Sequence, residues 1–99
     1  MNSYTPRQLI KLFIVYLENE IIQIGLNDIT IEGIDTNNNI ILLQTNMIEE
    51  RPGNYVYYWN TSSILPDTFV NIIYKRNTNI LDIEQFYFEL TGEEDGQAF

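Results

Sequence analysis

Tyr55, Tyr57 and Trp59 recur at every second position of Asn54-Tyr55-Val56-Tyr57-Tyr58-Trp59-Asn60. On a strand that period sets all three rings on one face and Val56 and Tyr58 on the other. One face must be core, and the other then presents amphipathic aromatics of the kind that anchor protein interfaces. Such a face also stacks single-stranded bases, and a pocket lined by these rings would hold a small molecule. The bland alternative buries both faces, one under each of two helices, with tyrosine hydroxyls at the rim.

Other groupings point to less chemistry. Asp35-Thr36-Asn37-Asn38-Asn39 opens like a calcium loop, but Ile40 stands where the sharp turn needs glycine. Asn46 stands where a bidentate glutamate is required. A polar hairpin tip is the expectation. The acidic runs Glu49-Glu50 and Glu93-Glu94-Asp95 lack a converging partner from another element, so they read as solvated charge. Ser62 and Ser63 have no histidine to activate them, because the chain contains none, and it contains no cysteine. Lys75 beside Arg76 reads as a surface strand end, and there is no glycine-rich phosphate loop. The expectation is no enzyme, no cofactor and no metal.

Charge narrows the partners. Fourteen acidic residues against five basic ones leave a formal −9, the wrong sign for direct contact with a nucleic-acid backbone. Isoleucine occurs sixteen times and asparagine twelve, a profile of AT-rich coding. Lysine, favoured by the same bias, is present only at Lys11 and Lys75. The acidity is therefore not a by-product of nucleotide bias; it either keeps a small protein soluble or has a specific electrostatic role.

The elements that would position these residues read as α+β. Thr5-Pro6-Arg7-Gln8 has the order of an N-cap, a first-turn proline and a capping-box partner, with Tyr4 and Leu9 placed as a hydrophobic staple. Ile10, Phe13, Leu17, Ile21 and Ile24 then follow helical spacing up to Gly25, predicting a helix from Pro6 to Ile24. Leu12, Val15 and Ile22 lie off that stripe. A helix apolar on two sides packs against two things; here the second patch is covered either by strand edges or the C-terminal segment of its own chain, or by another subunit. Strands are predicted over Asp28–Ile34, Ile40–Thr45, Tyr55–Asn60 and Phe69–Lys75, the second as a central strand. The first two make a hairpin, with proline turns at Arg51-Pro52-Gly53-Asn54 and Leu65-Pro66-Asp67. Ile80–Leu90 carries helical end signals at Asn79, Asp82, Glu84 and Gly92, and also strand-like alternation at Phe86, Phe88 and Leu90. It is assigned to a short C-terminal helix, with a fifth strand as the alternative.

The expected architecture is thus an N-terminal helix packed on a mostly antiparallel sheet of about four strands. Residues 1–92 form one domain and 93–99 an acidic C-terminal tail. The longest apolar stretch is too short to span a bilayer and no signal-peptide pattern opens the chain, so the expectation is a cytoplasmic protein, or a virion component, without membrane contact.

Three functions fit. One is a non-enzymatic assembly or interaction protein forming a homo-oligomer or hetero-assembly, such as a viral head–tail or baseplate subunit. Its partner-binding residues would be Leu12, Val15, Ile22, Tyr55, Tyr57 and Trp59. The second is an acidic DNA-mimic inhibitor of a host nucleic-acid-binding or defence enzyme. The third is a small-molecule binding module lined by Tyr55, Tyr57 and Trp59.

Overall fold

The computed structural model describes residues 2–4 and 9–89. Among these residues there is no helix; they form ten strands in three sheets. The α+β expectation is therefore corrected to an all-β fold. The larger sheet has five strands in the order β1-β10-β9-β5-β6: β1 (Asn2–Tyr4), β10 (Asn79–Phe88), β9 (Thr68–Arg76), β5 (Ile29–Asp35) and β6 (Ile40–Asn46). The smaller sheet has three, in the order β2-β8-β7: β2 (Leu9–Val15), β8 (Asn54–Asn60) and β7 (Ile48–Arg51). A two-stranded hairpin, β3 (Leu17–Glu18) and β4 (Ile21–Ile22), completes the set.

The predicted N-terminal helix is replaced, over residues 9–24, by β2 and the β3–β4 hairpin. From Leu9 to Val15 inner residues alternate with exposed ones: Ile10 and Leu12 are buried and Ile14 half-buried, while Leu9, Lys11, Phe13 and Val15 face out. The run is rich in β-branched and aromatic residues, which suit a pleated surface, and every residue of β2 finds a partner on β8. Asn19 and Glu20, with φ of 52° and 66°, form the two-residue turn that reverses the chain. The proposed cap at Thr5 and the tail at 93–99 lie outside the described residues.

The predicted C-terminal helix is likewise a strand. The Asn77-Thr78 turn folds β10 back along β9, and Phe86 and Phe88 enter the core by the alternation already visible in the sequence. Asp82 does not cap a helix; its carboxylate accepts a hydrogen bond from the Ile83 amide at 2.9 Å.

The four predicted strand runs are strands, but they do not form one meander. β5, β6 and β9 belong to the large sheet and β8 to the small one. β6, expected to be central, is an edge strand with Ile40 and Leu43 exposed. The chain changes sheet at Met47, which is buried and donates its amide to the Ile29 carbonyl at 2.9 Å. The Pro52-Gly53 turn then joins β7 to β8.

One core lies between the two sheets. Ile10, Leu12, Tyr55 and Trp59 of the small sheet pack with Ile29, Ile31, Val70, Ile72, Tyr74, Phe86 and Phe88 of the large one. Trp59 stands edge-on to Phe86 and Phe88, with ring centroids 5.8 and 5.4 Å away. Gly33 is placed where a side chain would crowd this layer, since a Cβ there would lie 3.0 Å from the Ile72 Cδ1 methyl.

Candidate functional site

On the outer face of the three-stranded sheet, strand register builds a row of apolar side chains. Phe13, Val56 and Ile48 lie side by side on β2, β8 and β7. Val56 is only 3% exposed, although it points away from the core, while Phe13 and Ile48 beside it are 58% and 71% exposed. Leu9 and Val15 extend the patch along β2, and Tyr58 along β8. A shallow cleft of about 340 Å³ lies here, lined by Ile48, Glu50, Val56, Tyr57 and Tyr58.

A polar strip crosses the same face. Lys11 Nζ donates to Glu50 Oε1 at 2.8 Å, and the Tyr58 hydroxyl donates to Glu50 Oε2 at 2.7 Å. The hydrogen bonds from Lys11 and then Tyr58 hold the Glu50 carboxyl below its ordinary range. The same bonds to Glu50 raise Lys11 and Tyr58 above theirs. One charge cancels the other, so the strip is nearly neutral within an acidic molecule.

The β3–β4 hairpin adds Leu17, Ile21, Ile22 and Ile24 to the exposed apolar surface. It is tied down from three sides. Tyr55, buried in the core, donates its hydroxyl to the Gln23 carbonyl at 2.7 Å and accepts the Leu26 amide at 3.2 Å. The Glu49 carboxylate accepts both the Gly25 amide at 3.0 Å and the Gly53 amide at 2.8 Å. Arg76 reaches Glu18 and Asp28 at 3.1 and 3.2 Å, with its guanidinium 5.8 Å from the centre of the Tyr16 ring. The hydrogen bond to Tyr16 and then that to Asp28 raise the Arg76 pKa further.

The opposite surface, the outer face of the five-stranded sheet, is more mixed. Lys75 pairs with Glu32, Gln85 with Asn71 and Gln44 with Thr30, at 3.3–3.5 Å. Phe69 and Tyr87 stack there at 4.6 Å, and the Tyr87 hydroxyl donates to Asp67.

The residues singled out from the sequence divide between core and surface. Leu12, Tyr55 and Trp59 are buried in the core and offer nothing to a partner; Tyr57 is half-buried on the same inner face. The aromatic strand therefore turns its Tyr55-Tyr57-Trp59 face inward. Val15 and Ile22 are exposed, on β2 and the hairpin respectively. The surface residues that sequence reasoning missed are Leu9, Phe13, Ile48 and Tyr58. Their signal was strand parity: Phe13 alternates with Leu12, and Tyr58 with Tyr57 and Trp59.

The Asp35–Asn39 segment is a hairpin tip. Asp35 Oδ1 accepts the Asn37 and Asn39 amides at 2.9 and 2.8 Å, and these bonds, that to Asn39 first, hold its carboxyl below the ordinary range. Among the described residues no group of three His, Cys, Asp or Glu is placed to hold a metal ion, and no helix is long and apolar enough to cross a membrane. No protein family, curated protein or solved structure matches this chain.

Proposed function

We propose that this chain is a non-enzymatic interaction protein that assembles with other protein chains through the outer face of its three-stranded sheet. The observation that carries the reading is the row Phe13–Val56–Ile48, flanked by Leu9, Val15 and Tyr58. Contiguous apolar surface of this kind is costly to leave in water and marks contact surfaces. Phe13 and Tyr58 supply the aromatic anchors that dominate such contacts, and the neutral Lys11–Glu50–Tyr58 strip supplies orientation. The DNA-mimic alternative has less support, because the Glu18, Asp28, Glu32 and Glu50 carboxylates are each engaged by a lysine or arginine of the same chain.

Sedimentation of the purified chain at low and physiological salt tests the reading. Self-association, or complex formation with a structural partner, is expected to hold or strengthen as salt rises, since apolar contacts are unscreened and repulsion between −9 subunits is relieved. Ile48→Glu should abolish it while the variant remains folded. Association that collapses with salt and ignores Ile48→Glu would replace this reading with the electrostatic mimic; a monomer under all conditions with no complex would remove both.

A further inference from the structure

A cleft of about 330 Å³ lies between the turn that joins β5 to β6 and the loop that carries the chain from β8 to β9. Its apolar lining runs from Ile64, which is buried, through the half-buried Ile41 to Ile40 and Leu65, which are 65% and 74% exposed. An aliphatic group entering between the last two would leave water against apolar surface.

Three oxygen acceptors line the same cleft: the Asp35 carboxylate and the Ser63 and Thr68 hydroxyls. Asp35 Oδ1 is occupied by the Asn37 and Asn39 amides, at 2.9 and 2.8 Å. Its Oδ2 takes the Asn39 side-chain amide at 3.1 Å and keeps a further lone pair. Thr68 Oγ1 donates its proton to the Leu65 carbonyl at 2.7 Å, which leaves its own lone pairs to accept. Ser63 is exposed, and its hydroxyl accepts in the same way.

The carboxylate has no counter-charge. The ion pairs of the described residues engage Glu18, Asp28, Glu32 and Glu50, and Asp35 is in none of them. The turn's own hydrogen bonds, that to Asn39 first, keep its carboxyl below the ordinary range and fix its position. One oxygen thus serves the turn, while the other stands beside an apolar wall in an acidic molecule.

The lining selects among cations. A divalent metal ion finds one carboxylate and gains nothing from isoleucine and leucine. A guanidinium pairs best with both oxygens of a carboxylate, and Oδ1 is taken. A quaternary ammonium is held by aromatic faces, and no ring lines the cleft. A primary ammonium brings three N–H donors to three acceptors, and its carbon stem finds the apolar wall.

We propose that this cleft binds a primary ammonium carried on a short aliphatic group, with Asp35, Ser63 and Thr68 accepting from the nitrogen and Ile40 and Leu65 closing on the stem. A free alkylamine and a lysine of another protein offer the same chemistry. The site is separate from the outer face of the three-stranded sheet and does not depend on assembly there.

The probe is isopentylamine, titrated into the isotope-labelled full chain and followed by NMR. Saturable shifts are expected at Asp35–Ile41 and Ser63–Thr68. Isopentanol lacks the charge, and the N-trimethylated amine keeps the charge without the donors; each should bind about tenfold more weakly. Asp35→Asn keeps an acceptor for the Asn37 and Asn39 amides and removes the charge, and should weaken the amine about tenfold. Glu20→Gln, the same charge change in the β3–β4 turn, should leave binding unchanged. Ser63→Ala and Leu65→Ser, at exposed positions, should each weaken the amine about threefold and carry the test if Asp35→Asn does not fold. Tighter binding of acetyl-lysine methylamide than of isopentylamine would assign the site to a partner's lysine, and the reverse order to a free amine. The proposal is overturned if the amine does not saturate, or if its trimethylated form binds as well. It is equally overturned if Asp35→Asn, or failing that both substitutions in the loop, bind as the wild type does, which would leave only counter-ions gathered by a chain of charge −9.

Discussion

The Lys11 ammonium meets the Glu50 carboxylate at 2.8 Å by reaching over β8, from one edge of the small sheet to the other. Glu50, held below its ordinary 4.5, contributes stability above that value and loses the contribution as pH falls through the lowered pKa. Lys11 and Tyr58, held above their ordinary values, contribute below those and lose the contribution as pH rises through the raised pKa. The strip is therefore fully formed between 4.5 and the ordinary tyrosine value of 10.0. Replacing Glu50 with Gln should return the Tyr58 phenol to its ordinary range, read by NMR of labelled tyrosines. An unmoved Tyr58 titration would mean that the strip does not form in solution.

Gly53 is the residue on which the β3–β4 hairpin rests. Its φ is +78°, and an added Cβ would fall inside the Cγ2 methyl of Ile22. The left-handed backbone alone makes Gly53→Ala cost roughly 1–2 kcal/mol, with crowding adding about 1–3 kcal/mol. Urea denaturation should show the loss, and Ile22→Ala in the same chain should recover the crowding part. Equal stability of both variants would separate the hairpin from the turn.

Trp59 bridges the sheets through edge-on contacts with Phe86 and Phe88. Trp59→Ala should cost about 3–5 kcal/mol, a large part of the total stability of a domain this size. The loss should appear in the denaturation midpoint whether or not a partner is present. A variant as stable as the wild type, but defective in assembly, would return Trp59 to the surface.

Glu20 adopts φ of +66° in the two-residue turn after Asn19. Asn-Gly is the preferred pair for such a turn, so Glu20→Gly should stabilise the chain by about 0.5–1 kcal/mol. A lowered thermal midpoint would show that Glu20 contributes a contact outweighing its backbone strain.

Turn chemistry was readable without the structure because it is local. Asp35 through Asn39 caps its own amides, and Pro52-Gly53 reverses the chain by its own dihedral preferences. The N-terminal helix misled because its signals were local too. Ile10, Phe13, Leu17, Ile21 and Ile24 fit a helical stripe only by leaving Leu12, Val15 and Ile22 as a surplus. That surplus is what alternation leaves behind when a strand is read at helical period. The choice was made by β8, whose seven partners for β2 lie far along the chain. The same holds for Ile80–Leu90, where end signals competed with the alternation of Phe86 and Phe88 and the register with β9 prevailed.

From the sequence alone come the absence of histidine and cysteine, the charge of −9, and the fact that Tyr55, Tyr57 and Trp59 share a face. The last follows from covalent geometry, since a strand's side chains alternate whatever surrounds it. Which of the two faces meets water is not a property of the strand. It was decided when the five-stranded sheet, with Phe86 and Phe88, closed over Trp59 and buried Leu12 and Tyr55. That left Phe13, Ile48 and Tyr58 outside, because a two-layer core covers only one face of each layer.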